Sequence, residues 1–180
     1  MSKKKIRKKL INYRKKNFKD LKINFSQIEL IINKSVLKKV KTIGAYYPIN
    51  YEIDCLWILK QLEKSGHKIS LPITKIENKM DFFEWSLKKP LNISKIGIPE
   101  PISKKKVYPD VILVPLVAFD NRKFRLGYGG GFYDRYIKKI KKIKKIITFG
   151  IAFSFQKVRK IPTNKYDEKL DYILTENYIK

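Results

Sequence analysis

Apolar residues recur along the chain with two different periods, and the alternation of those periods predicts an α/β architecture. Residues 3–19 carry Ile6, Leu10, Ile11 and Tyr13 among lysines, a narrow apolar stripe on a helix. Ser26-Gln-Ile-Glu29 has the spacing of a capping box and predicts a second helix to about Val40. Thr42-Ile-Gly-Ala-Tyr-Tyr47 is a short apolar run stopped by Pro48, which predicts a buried strand. Ile53 to Lys64 is helical in pattern, with Leu56, Trp57, Leu59 and Leu62 and a stop at Gly66. Lys68-Ile-Ser-Leu-Pro72 reads as the next strand. A helix between two strands is a βαβ unit, which implies a largely parallel sheet.

Farther along, Met80-Asp-Phe-Phe-Glu-Trp85 predicts a strand, and residues 87–110, rich in Pro, Lys and Asn, predict an extended loop. Val111-Ile-Leu-Val-Pro115 is the most strongly apolar strand. Phe132 to about Lys145 is helical, with Ile137, Ile140 and Ile143 inside. Ile146 to Phe153 and Tyr172 to Thr175 complete the strands. No repeat or linker interrupts the pattern. The expectation is a single α/β domain over residues 1–180, with a mostly parallel or mixed central sheet and helices on both faces.

Composition changes this picture little. Apolar content of 43% is enough for a globular core. The net charge of +26 suggests nucleic acid, a membrane surface or an acidic substrate. Lysine is spread along the whole chain together with Ile and Asn, however, as in the products of AT-rich genomes. The Lys-Lys-Ile repeat after Ile137 reads as a solvated helix face. An anionic ligand would still feel the field. The single cysteine, Cys55, excludes an internal disulfide. The single histidine, His67, excludes a multi-histidine metal site and reads as a turn residue after Gly66. No apolar run approaches the ~20 residues of a membrane span. The basic N-terminus lacks the apolar region of a signal peptide, so a cytoplasmic location is expected.

The candidate chemistry lies in Arg125-Leu-Gly-Tyr-Gly-Gly-Gly-Phe-Tyr-Asp134. Of eight glycines in the chain, four fall between Gly127 and Gly131, more than an ordinary turn requires. Glycines in succession let backbone N–H groups converge into an anion-binding nest, and a helix start after such a loop adds to it. The stretch has neither the Lys-Ser/Thr ending of a P-loop nor the third glycine of a dinucleotide fingerprint, where Phe132 stands. It is therefore a different phosphate loop or a tight structural crossover. Its neighbours favour phosphate: Arg125 is suited to bidentate contact, and Asp134 offers oxygen to Mg²⁺.

Together with Val114-Pro-Leu-Val-Ala-Phe-Asp120, the stretch closely resembles the signature of the 5-formyltetrahydrofolate cyclo-ligase (methenyltetrahydrofolate synthetase) family. The resemblance continues in Lys3-Lys-Lys-Ile-Arg7, in Tyr46-Tyr-Pro-Ile-Asn-Tyr-Glu52, in Gly97-Ile-Pro-Glu-Pro101, and in Pro162-Thr-Asn-Lys-Tyr-Asp167 with Asp171-Tyr-Ile-Leu-Thr-Glu176. It implies an enzyme that uses ATP to close 5-formyltetrahydrofolate into 5,10-methenyltetrahydrofolate, releasing ADP and phosphate, through phosphorylation of the formyl oxygen. It implies ATP contacts from Lys3, Arg7, Arg125, Leu126, Gly127, Tyr128, Gly129, Gly130, Gly131, Phe132 and Tyr133, with Arg125 and Tyr133 catalytic. Tyr47 and Glu52 would hold the folate, and Asp134 and Asp167 would serve Mg²⁺. Tyr46 and Tyr51 could add to the folate wall, as could Phe83 and Trp85.

Three positions depart from the family pattern. Leu116 replaces a glycine, Phe132 replaces a tyrosine, and the turn Asn121-Arg-Lys-Phe124 lacks a glycine. They bear on fine substrate geometry more than on the reaction class. The expected partner is the folate, with or without a polyglutamate tail, and the expected protein is a monomer without a specific nucleic-acid or membrane partner. Two alternatives stand beside this reading. A basic RNA-binding module would explain the charge and aromatics but not the clustered glycines. A different phosphate-substrate enzyme could occupy a similar sheet.

Overall fold

The computed structural model describes residues 1–17, 28–29, 40–75 and 79–180. The helix expected from Ser26 falls almost wholly outside these residues; Ile28 and Glu29 are helical, and Ile28 is buried.

The core is a seven-stranded sheet. Its strands in chain order are β1 (Thr42–Gly44), β2 (Lys68–Lys75), β3 (Lys79–Trp85), β6 (Lys106–Val107), β7 (Val111–Pro115), β10 (Ile147–Ile151) and β11 (Tyr172–Leu174). Their spatial order is β11-β10-β7-β1-β2-β3-β6. The first five, from β11 to β2, pair in parallel; β3 is antiparallel to β2, and β6 to β3. The expected loop over 87–110 contains more structure than its composition suggested. Two small hairpins stand apart from the main sheet: β4 (Leu91–Ile93) pairs with β5 (Pro99–Pro101), and β8 (Ala118–Phe119) with β9 (Arg125–Leu126). Prolines 99 and 101 are tolerated because β5 has a single partner, so both lie on an edge.

Three helices of the described residues pack on this frame. They are α1 (Lys3–Lys16), α2 (Leu56–Lys64) and α3 (Phe132–Lys141). Alternation along β7 decides which side α2 and α3 cover. Val111 and Leu113 join Ile43, Ile69 and Phe149 under Ile58, Leu59 and Leu62 of α2. Ile112 and Val114 meet Tyr136, Ile137 and Ile140 of α3 on the opposite face. Each of these fully buried aliphatics contributes about 1.5–3 kcal/mol. The helix expected to reach Lys145 ends at Lys141, so Ile143 is left 57% exposed. The helix expected from Ile53 begins at Leu56, because Ile53 and Cys55 are drawn into the core first. No helix of the described residues is long and apolar enough to cross a membrane.

Helix α1 does not cover the sheet. Ile6 and Leu10, one turn apart, pack on Val117, Ala118 and Leu126, which belong to the segment after β7 and its hairpin. That contact brings the first residues of the chain to the glycine loop. The connections at the sheet centre diverge. From β1 the chain crosses through α2 to β2, and from β7 it crosses through α3 to β10. β1 and β7 are neighbours, so a crevice opens beyond their carboxyl ends, the usual ligand position in an open α/β sheet.

Candidate active site

A cavity of about 960 Å³ occupies that crevice. It lies at the upper end of the ~300–1,000 Å³ typical of small-molecule sites. One wall is the segment after β7 and the start of α3, the other the segment after β1. Residues of α1, of the β4–β5 hairpin and of the loop near Asp167 complete it.

The glycine wall is built from backbone conformation. Gly129 has φ +120° and Gly131 φ +65°, values that side-chain-bearing residues rarely adopt. Gly131 is the N-cap of α3, and Asp134 lies in that helix's first turn, where a carboxylate complements the helix dipole. The amides of Tyr128, Gly129, Gly130 and Gly131 donate to no backbone carbonyl among the described residues. Consecutive amides without a backbone acceptor are what an anion-binding nest requires. A Cβ on Gly130 would come within 2.6 Å of the Phe132 ring, so Phe132 seals the inner side of the loop. Arg7 Nε donates to the Gly127 carbonyl at 2.8 Å, which ties the loop to α1.

Around the loop the charges are paired. Lys3 Nζ donates to both carboxylate oxygens of Asp167, at 2.7 and 2.8 Å. Arg125 is 6% exposed; its Nη2 lies 3.0 Å from Asp134 Oδ1, and its Nη1 donates to the Glu168 carbonyl at 3.2 Å. Burial pulls the Arg125 pKa down, while Asp134, Tyr133 and Asp167 hold it up. Arg125 thus supports the wall from within, and the more open cations at the cavity are Lys3, Arg7, Arg135 and Lys138. The Tyr133 hydroxyl is buried and has no hydrogen-bond partner, and burial raises its pKa.

The opposite wall is built from side chains. Asn50 and Tyr51 both have positive φ, +50° and +61°. This strained turn lets the Ile49 amide donate to Glu52 Oε2 at 2.9 Å while the Glu52 amide returns a bond to the Ile49 carbonyl. Glu52 is 6% exposed, and its Oε1 is buried without a partner. Burial pushes its carboxyl up to about 7, against the Ile49 amide, Arg14 and Tyr128, which pull it down. Tyr47 lines the cavity beside it, half-buried against the core.

All fifteen residues expected at the site line this cavity: Lys3, Arg7, Tyr47, Glu52 and Asp167 together with the run from Arg125 to Asp134. The additional aromatic expectations fare differently. Tyr46 does line the cavity but belongs to the core, with its hydroxyl donating to the Ile53 carbonyl. Tyr51, Phe83 and Trp85 lie outside the lining; Trp85 is a core residue whose Nε1 donates to the Lys89 carbonyl. Cys55 is buried, and burial pushes its thiol pKa up, so it is not a reactive thiol. His67 lies away from the cavity, with Nδ1 3.2 Å from the Val40 carbonyl.

Sequence reasoning missed the β4–β5 hairpin, which supplies Ile96, Ile98, Pro99 and Glu100 to the rim. It also missed Arg14. A signal for Arg14 existed, since it follows Ile6 and Leu10 at the same four-residue interval and so continues the buried stripe.

The three departures have structural explanations. Leu116 is 1% exposed and lies outside the cavity; its side chain packs into the space over Gly150, which has none. Lys123, in the turn without glycine, takes φ +67°, a conformation that glycine adopts without strain. Phe132 presents its ring to the cavity beneath Arg135, whose guanidinium carbon is 6.0 Å from the ring centroid.

Comparison with known proteins decides the family. The model of the 5-formyltetrahydrofolate cyclo-ligase family matches residues 1–176. The chain belongs to this family. The 5-formyltetrahydrofolate cyclo-ligase of Haemophilus influenzae is 32% identical over 144 residues, covering 76% of each chain. That of Escherichia coli is 30% identical over 145 residues, 77% of this chain and 79% of the other. Among solved structures, the 5,10-methenyltetrahydrofolate synthetase of Aquifex aeolicus superposes with a TM-score of 0.78 at 30% identity, covering 100% of this chain and 92% of that one.

Magnesium can be weighed against the donors present. No group of three or more His, Cys, Asp and Glu stands together as a metal cage among the described residues. Asp134 and Asp167 both line the cavity and both supply hard oxygen. One or two carboxylates are what Mg²⁺ takes from a protein when phosphate and water fill its remaining positions. The donor set fits an ion that arrives with a nucleotide and does not suit a resident, protein-caged one.

Proposed function

We propose that this protein is an ATP-dependent 5-formyltetrahydrofolate cyclo-ligase, producing 5,10-methenyltetrahydrofolate, ADP and phosphate. The observation that carries the reading is the placement of the glycine loop and Glu52 on facing walls of one cavity, in a chain that matches the family over residues 1–176.

In this reading the amides of residues 128–131 and the start of α3 hold the ATP phosphates, with Lys3 and Arg7 neutralising charge from α1. Arg125 keeps the loop and Asp134 in register. Asp134 and Asp167 hold Mg²⁺, which neutralises phosphate charge when bound. Glu52 accepts hydrogen bonds from pterin N–H groups through Oε1, the oxygen that has no protein partner. Filling it removes the ~1–3 kcal/mol penalty of a buried, unsatisfied acceptor. Tyr47 packs beside the ring.

The chemistry then needs little more than alignment. The formyl oxygen attacks the γ-phosphorus and ADP leaves. N10 attacks the activated formyl carbon, gives up its proton, and phosphate departs with the carbon–oxygen bond. Phosphoryl transfer of this kind depends on positioning and charge stabilisation rather than covalent help from the protein. Fixed backbone dipoles provide that without reorganising. The test is direct: purified protein with Mg-ATP and 5-formyltetrahydrofolate should develop the absorbance of the methenyl product. No product above a protein-free control overturns the assignment, and turnover of ATP independent of the folate favours another phosphate-substrate reaction.

A further inference from the structure

Two ion pairs line the cavity, and they are built differently. Lys3 Nζ, from the first turn of α1, donates to Oδ1 and Oδ2 of Asp167 at 2.8 and 2.7 Å. The Asn164 amide also donates to Oδ2, at 2.7 Å, so both oxygens of Asp167 are occupied. Asp134 is held through one oxygen. Arg125 Nη2 and the Glu168 amide both reach its Oδ1, at 3.0 Å, and its Oδ2 accepts no hydrogen bond among the described residues. The cations differ as well. The Arg125 side chain is 3% exposed and is also fixed to the Glu168 carbonyl. The Lys3 side chain is 26% exposed, and Asp167 is its one partner among the described residues.

Asp134 can therefore offer an oxygen to a cation as it stands, and Asp167 cannot until Lys3 lets go. Lys3 in turn cannot give its full charge to a phosphate while Asp167 holds it. A metal-free nucleotide would draw Lys3 away and leave the Asp167 carboxylate facing polyphosphate without a counter-charge. A half-buried charge that loses its partner is costly, and the like charge beside it adds to the cost. A nucleotide that carries a divalent cation supplies a new partner to each group: a phosphate oxygen for the ammonium and the cation for the carboxylate. The field of a chain with net charge +26 by itself favours the more anionic, metal-free nucleotide. A preference for the metal-loaded form must then come from a local arrangement.

We propose that the Lys3–Asp167 ion pair is the specificity determinant by which the site selects metal-loaded ATP over free ATP: the pair is closed in the empty site and exchanges partners when nucleotide and cation arrive together. The proposal rests on the ATP reading of the cavity. Asp134 is the standing ligand for the cation, and Asp167 is the conditional one. The exchange makes and breaks no covalent bond. It needs only the rotation of two side chains that already line the cavity, one on the first turn of α1 and one on the loop near Asp167. These two segments are then tied to the ligand instead of to each other.

Equilibrium titration of the full chain with ATP, in Mg²⁺ or in a chelator and without folate, reads the exchange apart from turnover. The unaltered protein should bind Mg-ATP about tenfold more tightly than metal-free ATP. Asp167→Asn keeps an oxygen for the Asn164 amide and removes the charge that holds Lys3. It should bind metal-free ATP about threefold more tightly than the unaltered protein does, and Mg-ATP about tenfold more weakly, so the preference disappears. If that variant does not fold, Lys3→Met decides. It should bind metal-free ATP about tenfold more weakly and Mg-ATP within about threefold, because the unpaired carboxylate then repels bare polyphosphate. Equal losses for the two forms, or unchanged affinities, mark the pair as structural and overturn the exchange. So does an unaltered protein that binds ATP equally well with and without Mg²⁺. An unaltered protein that binds neither form removes the ATP reading itself, and the exchange with it.

Discussion

In the proposed reading, the two walls of the cavity recognise their ligands by different physical means. The wall after β7 works through backbone: amides at Gly129–Gly131 and the start of α3, shaped by positive φ at Gly129 and Gly131. The wall after β1 works through side chains: Glu52, buried and half-satisfied, with Tyr47 beside it. A backbone nest needs only the right consecutive residues, because every residue carries the same N–H. A buried carboxylate needs neighbours from several elements to be charged and aimed. The first wall is accordingly rigid and local. The second is tuned by remote groups and is more sensitive to pH.

Changes to each wall should therefore separate cleanly. The largest effect is expected from Gly129→Ala. At φ +120° a Cβ is strained by about 1–3 kcal/mol even though the space beside Arg7 would admit it. The loop must shift, and kcat/KM for ATP should fall about 10–100-fold while equilibrium binding of the folate stays within about twofold. A matching loss of folate binding would show that the walls are not independent.

Next comes Glu52→Gln, which should weaken folate binding about tenfold, leave ATP binding unaltered and raise stability at high pH. The sign follows from the carboxyl being pushed up to about 7 from its ordinary 4.5. Below 4.5 both the folded and unfolded chains are protonated, and the glutamate costs nothing. As pH rises from 4.5 through 7 the unfolded chain ionises first, and stability is lost. Above 7 that loss amounts to about 3 kcal/mol. Glutamine carries no such penalty, so thermal melts should agree near pH 4.5 and diverge in the variant's favour near pH 8. Coincident melts at both pH values would mean that the buried carboxylate is not under strain.

The smallest effect is expected from Phe132→Tyr, which adds a hydroxyl on the cavity side of a ring whose packing against Gly130 is unchanged. Turnover should change by less than about threefold. A larger change would give position 132 a polar contact that the phenylalanine cannot make.

The contrast between the walls is also a contrast in legibility. The glycine loop, Arg125 and Asp134 are adjacent in sequence, and their types state their chemistry. Strands β7 and β10 were legible because long apolar runs carry their own signal. Region 87–110 was read as loop because its four prolines and a low apolar content hid the β4–β5 pairing, which depends on partners rather than on propensity. Tyr51 and Trp85 looked like candidates for a ring-binding wall, and only the direction of their side chains removed them. Arg14 lay in a run of seven basic residues between Lys3 and Arg14, and nothing but its place on the stripe of Ile6 and Leu10 set it apart.

By itself, the sequence determined the α/β order of elements, the glycine loop and the family, because each is written in consecutive residues or in a short period. Tertiary structure decided which face α1 turned inward, where the crevice opened between β1 and β7, and which polar groups lost their water. Burial is a property of packing. The raised Glu52 carboxyl and the buried guanidinium of Arg14, bonded to the Tyr128 hydroxyl, exist only once distant segments have come together.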